Sequence, residues 1–244
     1  MRLAIVSDVH GNFTALEAVI ADIERRGVER VLHGGDLALG GCQAAEVVDR
    51  IRELGWPGVV GNTDELLWRP EELAAQLERA PRLANLLRVI FDRYAPATRA
   101  QLGDERLAWL RGLPDEQRPG GLVLLHAAPG NLWRAPMPDA DDEELAATYS
   151  VCDAELVVYG HIHVPFVRPV GPFTVANAGS VGSPHDGDPA ASYLIVEDGR
   201  AQVVRVEYDV EREAALVLAS GYPGREAIAQ SRRRGRYVPP AVAP

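Results

Sequence analysis

Residues 2–36 read RLAIVSDVHGNFTALEAVIADIERRGVERVLHGGD, and this stretch decides the fold. Its first six residues form a short apolar run that is typical of a buried strand. After the loop DVHGN, apolar residues recur at the spacing of one helix face, namely Leu16, Val19, Ile20 and Ile23. Thr14 and Glu17 predict a capping box at the start of this helix. Since ERVLHGGD, residues 29–36, indicates a second strand, the stretch predicts a βαβ unit.

The same alternation continues along the chain. AAEVVDRIREL (44–54) predicts a helix and PGVVGNTD (57–64) a third strand and loop, while GGLVLLHAAPG (120–130) and AELVVYGHIH (154–163) predict two more strands with loops. The helix-rich stretch at about 65–118 is too long for a simple crossover, so we expect an inserted helical cap. From residue 166 onward, short β runs between Gly, Pro and Asp predict an antiparallel block. Residues 231–244, rich in Arg and then Pro, predict a mobile tail.

Composition excludes several functional classes. The 244 residues carry a net charge of -10, and all 25 basic residues are arginine. This acidic balance argues against non-specific binding to nucleic acid or anionic lipid, but a local site could still bind a small anion. Cys42 and Cys152 belong to no CxxC or Cys/His cluster, so we expect reduced thiols. With no signal-peptide core and no apolar segment of membrane length, we expect a cytoplasmic protein.

Side chains that can bind a metal follow each predicted strand. They are Asp8, His10, Asp36, Asn62, His126, His161 and His163. Ligands of an open α/β sheet bind beyond the carboxyl ends of its strands, so we expect these residues to meet at one sheet edge. Four of them suffice for one divalent ion, and seven with a bridging carboxylate suit two. Taken singly, Asp8 could be a cap, Asn62 a turn residue and His126 a packed histidine, but a shared metal site explains all seven together.

The ordered motifs DVHGN, GGD, GNTD, LLHAAPG and GHIH, with NAGSVGSPHDGDPAASYLIV (177–196), resemble those of the calcineurin-like metallophosphoesterases, in particular the small bacterial phosphodiesterases. The resemblance runs from residue 3 to about 197, excluding the insert. It implies an α/β (α+β) fold of four layers, α/β/β/α, in which helices flank a two-sheet β-sandwich. We therefore expect a domain over residues 1–210 with the insert at about 65–118, and a C-terminal helix and Arg/Pro-rich tail over 211–244.

The resemblance also implies two divalent ions, with Mn, Fe, Ni and Zn all compatible. Asp8, His10, Asp36 and His163 would hold one ion, and Asp36, Asn62, His126 and His161 the other, with Asp36 bridging. Asp36, Asn62 and His126 are the expected catalytic residues. Asn12, Thr63 and Asp64 are the expected substrate contacts, although Asn12 could instead order its loop and Asp64 could orient a neighbour.

By the same resemblance, a hydroxide that bridges the ions attacks phosphorus in a small phosphodiester, such as a cyclic nucleotide or dinucleotide. A phosphomonoester or a dinucleoside polyphosphate is the alternative substrate, and a non-catalytic scaffold like the retromer subunit is the alternative role. A covalent phosphatase built on Asp8 would need a carboxylate where His10 stands. The oligomeric state is left open.

Thr63 stands where many relatives have a histidine that protonates the leaving group. Threonine is no strong acid at neutral pH, so we expect a substrate whose leaving group needs little help, or an acid from elsewhere.

A few other residues leave alternatives open. We expect His33 to pack in the core. His185 could line the cleft, or it could be only a residue of the loop that follows GSVGSP. Arginines and aromatics of the insert could hold phosphate and stack on a base, or could form the two faces of amphipathic helices. They are Trp68, Arg69, Arg82, Arg88, Arg93, Tyr94 and Arg99.

Overall fold

The computed structural model describes residues 2–240 and contains two β-sheets packed face to face. The first sheet has the order β2 (Arg30–His33), β1 (Arg2–Val6), β8 (Ala191–Glu197) and β9 (Arg200–Val206). The second has the order β3 (Glu116–Gln117), β4 (Leu122–Leu125), β5 (Leu156–Tyr159), β7 (Phe173–Asn177) and β6 (Phe166–Val170). Strand β1 runs parallel to β2 and antiparallel to β8.

Alternation along β1 explains the layers. Leu3 and Ile5 point between the sheets, where they share a core with Leu124 and Val158 of the second sheet. The intervening residues of β1 point the other way, into a cluster formed with α1 (Phe13–Arg25), α2 (Ala44–Glu53), α8 (Val210–Ala219) and α9 (Arg225–Arg234). Helix α7 (Asp142–Tyr149) covers the outer face of the second sheet. The predicted four-layer α/β/β/α sandwich is therefore confirmed.

The insert consists of three short helices and one longer helix that is kinked at Gly103. They are α3 (Asn62–Glu65), α4 (Glu72–Arg79), α5 (Ala84–Val89) and α6 (Ala95–Arg111). A 3₁₀ turn at Pro81–Leu83 precedes α5, and a π-helical turn at Ile90–Tyr94 joins α5 to α6. Such π turns widen a helix locally and occur often at functional sites. No helix among residues 2–240 has both the length and the apolar character needed to cross a bilayer.

Three local predictions were wrong. The stretch predicted as a third strand forms only an isolated bridge, between Gly58 and His33, because Pro57 and Gly58 interrupt the run. The C-terminal β runs do not form one block, since β6 and β7 join the second sheet while β8 and β9 join the first. Helix α1 begins after Asn12, whose side chain caps Ala15 N at 2.9 Å, so Thr14 is free to bond Glu213 instead.

The predicted mobile tail was also wrong over its described part. Ser231 to Arg234 form the last turn of α9, and Val238 N donates to Ser231 Oγ at 2.9 Å. The buried guanidinium of Arg232 donates to His10 O and Gly40 O, both at 3.0 Å, which ties this segment to the first sheet's loops. Residues 241–244 lie outside the described residues.

Candidate metal centre

Seven polar side chains converge where the two sheets share a rim. We call Asp8, His10, Asp36, Asn62, His126, His161 and His163 the polar cluster. Asp8 and His10 follow β1 and Asp36 follows β2 in the first sheet, whereas the three other histidines follow β4 and β5 in the second. The expectation of a single sheet edge is therefore corrected, because the crevice lies between two sheets.

The backbone of the polar cluster is strained. Five of its residues have positive φ, with 56° at Asp8, 49° at His10, 54° at Asp36, 66° at His161 and 58° at His163. Among the residues described, only Asp153 and Asp198 are further non-glycine examples. Each left-handed residue of this kind costs on the order of 1–3 kcal/mol, and such strain accumulates at functional sites.

One half of the polar cluster gathers around Asp8. His163 Nε2 lies 3.2 Å from Asp8 Oδ1, and His10 Nε2 lies 3.2 Å from His163 Nε2. Asp36 Oδ2 approaches the same group, 3.7 Å from His10 Nε2. Asp8, His10 and His163 offer ligand atoms that all lie within 4.8 Å of one another, which is a spacing that one metal ion can bridge.

The other half gathers around Asn62. Its Oδ1 lies 2.8 Å from His126 Nε2 and 3.0 Å from His161 Nδ1. Asp36 Oδ1, the second oxygen of the same carboxylate, lies 3.5 Å from His126 Nε2. The two oxygens of Asp36 therefore face the two halves separately.

The donor set of the polar cluster fits a cation. The Nδ1 atoms of His10, His126 and His163 donate to the carbonyls of Leu39, Gly34 and Ser183 at 2.6, 2.7 and 2.5 Å. Each ring therefore turns the lone pair of Nε2 inward, toward carboxylate oxygens and toward other lone pairs. Acceptors facing acceptors at 3.2 Å repel each other, and a divalent ion between them turns this repulsion into coordination.

Charge suits the same conclusion at Asp8, His10 and His161, whereas at His126 burial opposes the charged form but Asp36 and Asp8 prevail and raise the pKa. Burial and then His163 lower the pKa of His10 to about 4, and burial and then His126 lower that of His161 to about 4, so both rings are neutral near pH 7. Burial opposes the ionised form of Asp8, but the imidazoles around it prevail and hold its pKa below the ordinary value. Neutral imidazoles and ionised carboxylates are the forms that bind metal.

Asp64 shapes the loop that carries Asp36. Its carboxylate accepts bonds from Leu37 N at 3.1 Å and Gly61 N at 3.3 Å. Burial, and then the charge of Asp36, raise the pKa of Asp64 to about 7. Asp64 is fully buried and does not line the crevice, so its contacts are those of a residue that orients the loop of Asp36.

Asn12 and Thr63 differ in their position relative to the crevice. Asn12 is fully buried, and its amide nitrogen donates to Gly182 O at 3.1 Å and Tyr208 OH at 3.2 Å, so its contacts order the loop after β1. Thr63 lines the crevice, where its Oγ1 has no protein partner among the described residues, while its backbone N donates to Asp36 Oδ1 at 2.9 Å.

Glycines allow the loops to approach the carboxylates. A Cβ on Gly61 would overlap Asp36 Oδ1, and one on Gly160 would overlap Asp8 Oδ2 and Ser7 Oγ. Glycine at these two positions is therefore a steric requirement of the polar cluster.

Beside the cluster lies a cavity of about 440 Å³. His185 lines it and stacks on His163, with ring centroids 4.3 Å apart, which resolves the alternative left open for this residue. His33 lies in the core as expected, and burial lowers its pKa to about 3.

Among the lining residues that the sequence analysis missed is Arg232, because the analysis assigned it to a tail. The signal was present, since Ile228 and Arg232 are four residues apart on a helix whose buried face also includes Ala229. Of the arginines singled out in the insert, Arg69 pairs with Glu65 and Glu72, and Arg99 donates to Leu67 O.

Comparison with known proteins indicates which family this chain is similar to. The profile of the calcineurin-like phosphoesterase superfamily domain matches residues 1–199. An uncharacterized protein of Methanocaldococcus jannaschii is 30% identical over 248 aligned residues, which cover 91% of this chain and 93% of that protein.

Two solved structures are similar to this chain over almost its whole length. A metallophosphoesterase from Sphaerobacter thermophilus has a TM-score of 0.78 at 29% identity, covering 96% of this chain and 100% of that one. A hypothetical protein from Pyrococcus horikoshii has a TM-score of 0.78 at 20% identity, covering 97% and 99%, which shows the same fold.

Proposed function

The chain belongs to the calcineurin-like phosphoesterase superfamily, and we propose that it hydrolyses a small phosphodiester at a centre for two divalent ions. The observation that carries this proposal is the arrangement around Asp36. One of its oxygens faces the group of Asp8, His10 and His163, and the other faces the group of Asn62, His126 and His161. A carboxylate shared in this way is the expected bridge between two ions.

In this proposal the polar cluster is the ligand set, with Mn, Fe, Ni or Zn as the candidate ions. The ions would supply Lewis acidity to the phosphoryl oxygens and would lower the pKa of a water so that it becomes the nucleophile. The chain's own contribution is orientation. Backbone carbonyls fix the rings of His10, His126 and His163, and Thr63 lines the cavity with a buried hydroxyl that has no partner among the described residues.

Charge around the cavity favours a diester over a monoester or a polyphosphate. Arg232 is the only lysine or arginine that lines the cavity within residues 2–240. A diester has one negative charge, a monoester has nearly two, and a dinucleoside polyphosphate has several that would need further cations. With Thr63 in place of a strong acid, a leaving group that departs readily is also the better substrate.

A non-catalytic scaffold is the less favoured alternative. In a site without catalytic function, nothing would compensate the strain of five residues with positive φ or require three imidazoles oriented inward by backbone carbonyls.

The free thiols of Cys42 and Cys152 support the cytoplasmic location expected from the sequence.

The test is a substrate panel on protein stripped of metal and reloaded with Mn, Fe, Ni or Zn. We expect two ions per chain by mass spectrometry and hydrolysis of bis-(p-nitrophenyl) phosphate faster than p-nitrophenyl phosphate or diadenosine tetraphosphate. The stripped protein is the control and should be inactive. If no ion restores hydrolysis of any of the three, the enzymatic proposal is wrong.

A further inference from the structure

Two segments close the cavity beside the polar cluster, and we call them the cavity roof. One is residues 86–94 of the insert, which contribute Leu86, Ile90 and Tyr94 to the lining. The other is residues 225–240, which contribute Ala227, Ile228, Ser231, Arg232, Tyr237, Val238 and Pro240. The roof presents mainly carbon to the cavity, whereas the opposite wall is the polar cluster.

The cavity is larger than a phosphate group requires. Its volume of about 440 Å³ falls within the range of roughly 300–1,000 Å³ that is typical of sites for whole organic ligands. A phosphoryl group placed against the polar cluster would therefore leave room for a sizeable organic group under the roof.

Aromatic rings lead from the polar cluster to the cavity mouth. His185 stacks on His163 with centroids 4.3 Å apart, and Tyr237 meets His185 edge-on at 6.1 Å. Tyr237 is 46% exposed, although it is a large and partly apolar side chain. A half-exposed aromatic ring at a cavity mouth is a surface on which a flat group can stack.

Arg232 provides an independent indication of an anionic ligand. Its side chain is almost completely buried and lines the cavity, and its Nε has no partner among the described residues. Its Nη2 donates only to the carbonyls of His10 and Gly40, and it forms no ion pair with a carboxylate within residues 2–240. The buried carboxylate of Glu213 interacts with this charge, since burial raises the pKa of Glu213 and Arg232 opposes the rise, but Arg232 Nε stays without a hydrogen-bond partner among the described residues. A ligand that carries phosphate would place further negative charge beside the guanidinium.

We propose that the cavity roof is a subsite for the organic group of the substrate and that it selects phosphoesters whose organic group is aromatic and about as large as a nucleoside. This inference rests on the proposed function. The ester's phosphate lies between the polar cluster and Arg232, and its aromatic group packs against Ile90 and stacks on Tyr237.

The test measures binding rather than turnover. Calorimetry compares thymidine 5′-monophosphate with methyl phosphate on the full, metal-loaded chain, because the two ligands share a phosphate and differ in the organic group. We expect thymidine 5′-monophosphate to bind about tenfold more tightly or better, as aromatic stacking provides. Tyr237→Ala, and separately a chain that ends at Arg236, should reduce this preference by about fivefold or more.

Leu218→Ala is the matched control, since Leu218 is an exposed apolar residue of α8 outside the cavity. It should leave the preference as it is. Equal binding of the two ligands, or a preference that survives both Tyr237 changes, overturns the inference. If the preference holds while no phosphoester is hydrolysed, the subsite stands and the proposed function fails.

Discussion

The polar cluster has strained backbone and buried hydrogen bonds, whereas the cavity roof presents mainly apolar side chains to the cavity. The cluster lies wholly within the residues that match the family profile, but residues 225–240 of the roof lie outside them. We expect the cluster to tolerate little change, because five of its residues have positive φ and backbone carbonyls fix three of its imidazole rings. In our two proposals, the reaction therefore belongs to the polar cluster and the choice of substrate to the cavity roof.

Asp36→Asn is the strongest test of this division. The change replaces one of the two carboxylate oxygens with an NH₂ group and removes the negative charge that both halves of the cluster share. It should lower kcat/KM for bis-(p-nitrophenyl) phosphate by more than about a hundredfold, because even residues outside the ligand set of a metal site contribute about 10- to 100-fold. Metal content should fall with it. Asp198→Asn is the matched control, because Asp198 is exposed and also has positive φ. An Asp36→Asn variant that binds two ions and turns over normally would contradict the bridge.

Gly160→Ala tests whether the cluster depends on close backbone approach. The new methyl group would overlap Asp8 Oδ2, so we expect a loss of about 1–3 kcal/mol in the free energy of unfolding and weaker metal binding. Urea unfolding and metal titration measure the two effects. Gly112→Ala is the control, because the nearest heavy atom to its Cβ would be Trp109 O at 3.3 Å. Equal behaviour of the two variants would show that the cluster is less rigid than we infer.

Thr63→Ala probes the boundary between the two regions. The backbone N of residue 63 still donates to Asp36, so metal binding should persist, and the lost hydroxyl should raise KM by less than about tenfold. Steady-state kinetics with bis-(p-nitrophenyl) phosphate measure this change, and Thr63→Ser should restore the wild-type value. Abolished turnover with both ions bound would instead make Thr63 essential to the reaction.

His33→Phe should have the smallest effect at neutral pH, because His33 is a packed histidine outside the cluster. Burial lowers its folded pKa to about 3, below the ordinary value of 6.5. Its contribution to stability is therefore intact above pH 6.5 and is lost as the pH falls toward 3, with a slope of up to about 1.4 kcal/mol per pH unit.

Urea unfolding of chelator-treated protein at pH 7.5 and pH 5 measures this slope. The wild type should lose more stability than His33→Phe between the two pH values. Equal losses would mean that His33 is protonated in the folded protein.

Local patterns in the sequence predicted the helices, most strands and the loops that carry the polar cluster. They did not predict how segments distant in sequence meet. The pairing of β1 with β8 depends on residues almost 200 positions apart, and the bond from Arg232 to His10 O joins residues 222 positions apart. The cap of α1 was mispredicted for a different reason, since Asn12, Thr14 and Glu17 all suit a helix start and only the loop geometry after β1 selects Asn12.

The hydrogen bonds from Arg232 to His10 O and Gly40 O have a consequence for synthesis on the ribosome. A nascent chain that has reached residue 163 already contains all seven side chains of the polar cluster, yet it lacks β8, which flanks β1, and the guanidinium that joins the loops of His10 and Gly40. The site therefore gains these contacts only after residue 232 has been synthesised, and we expect ion capture to follow that point.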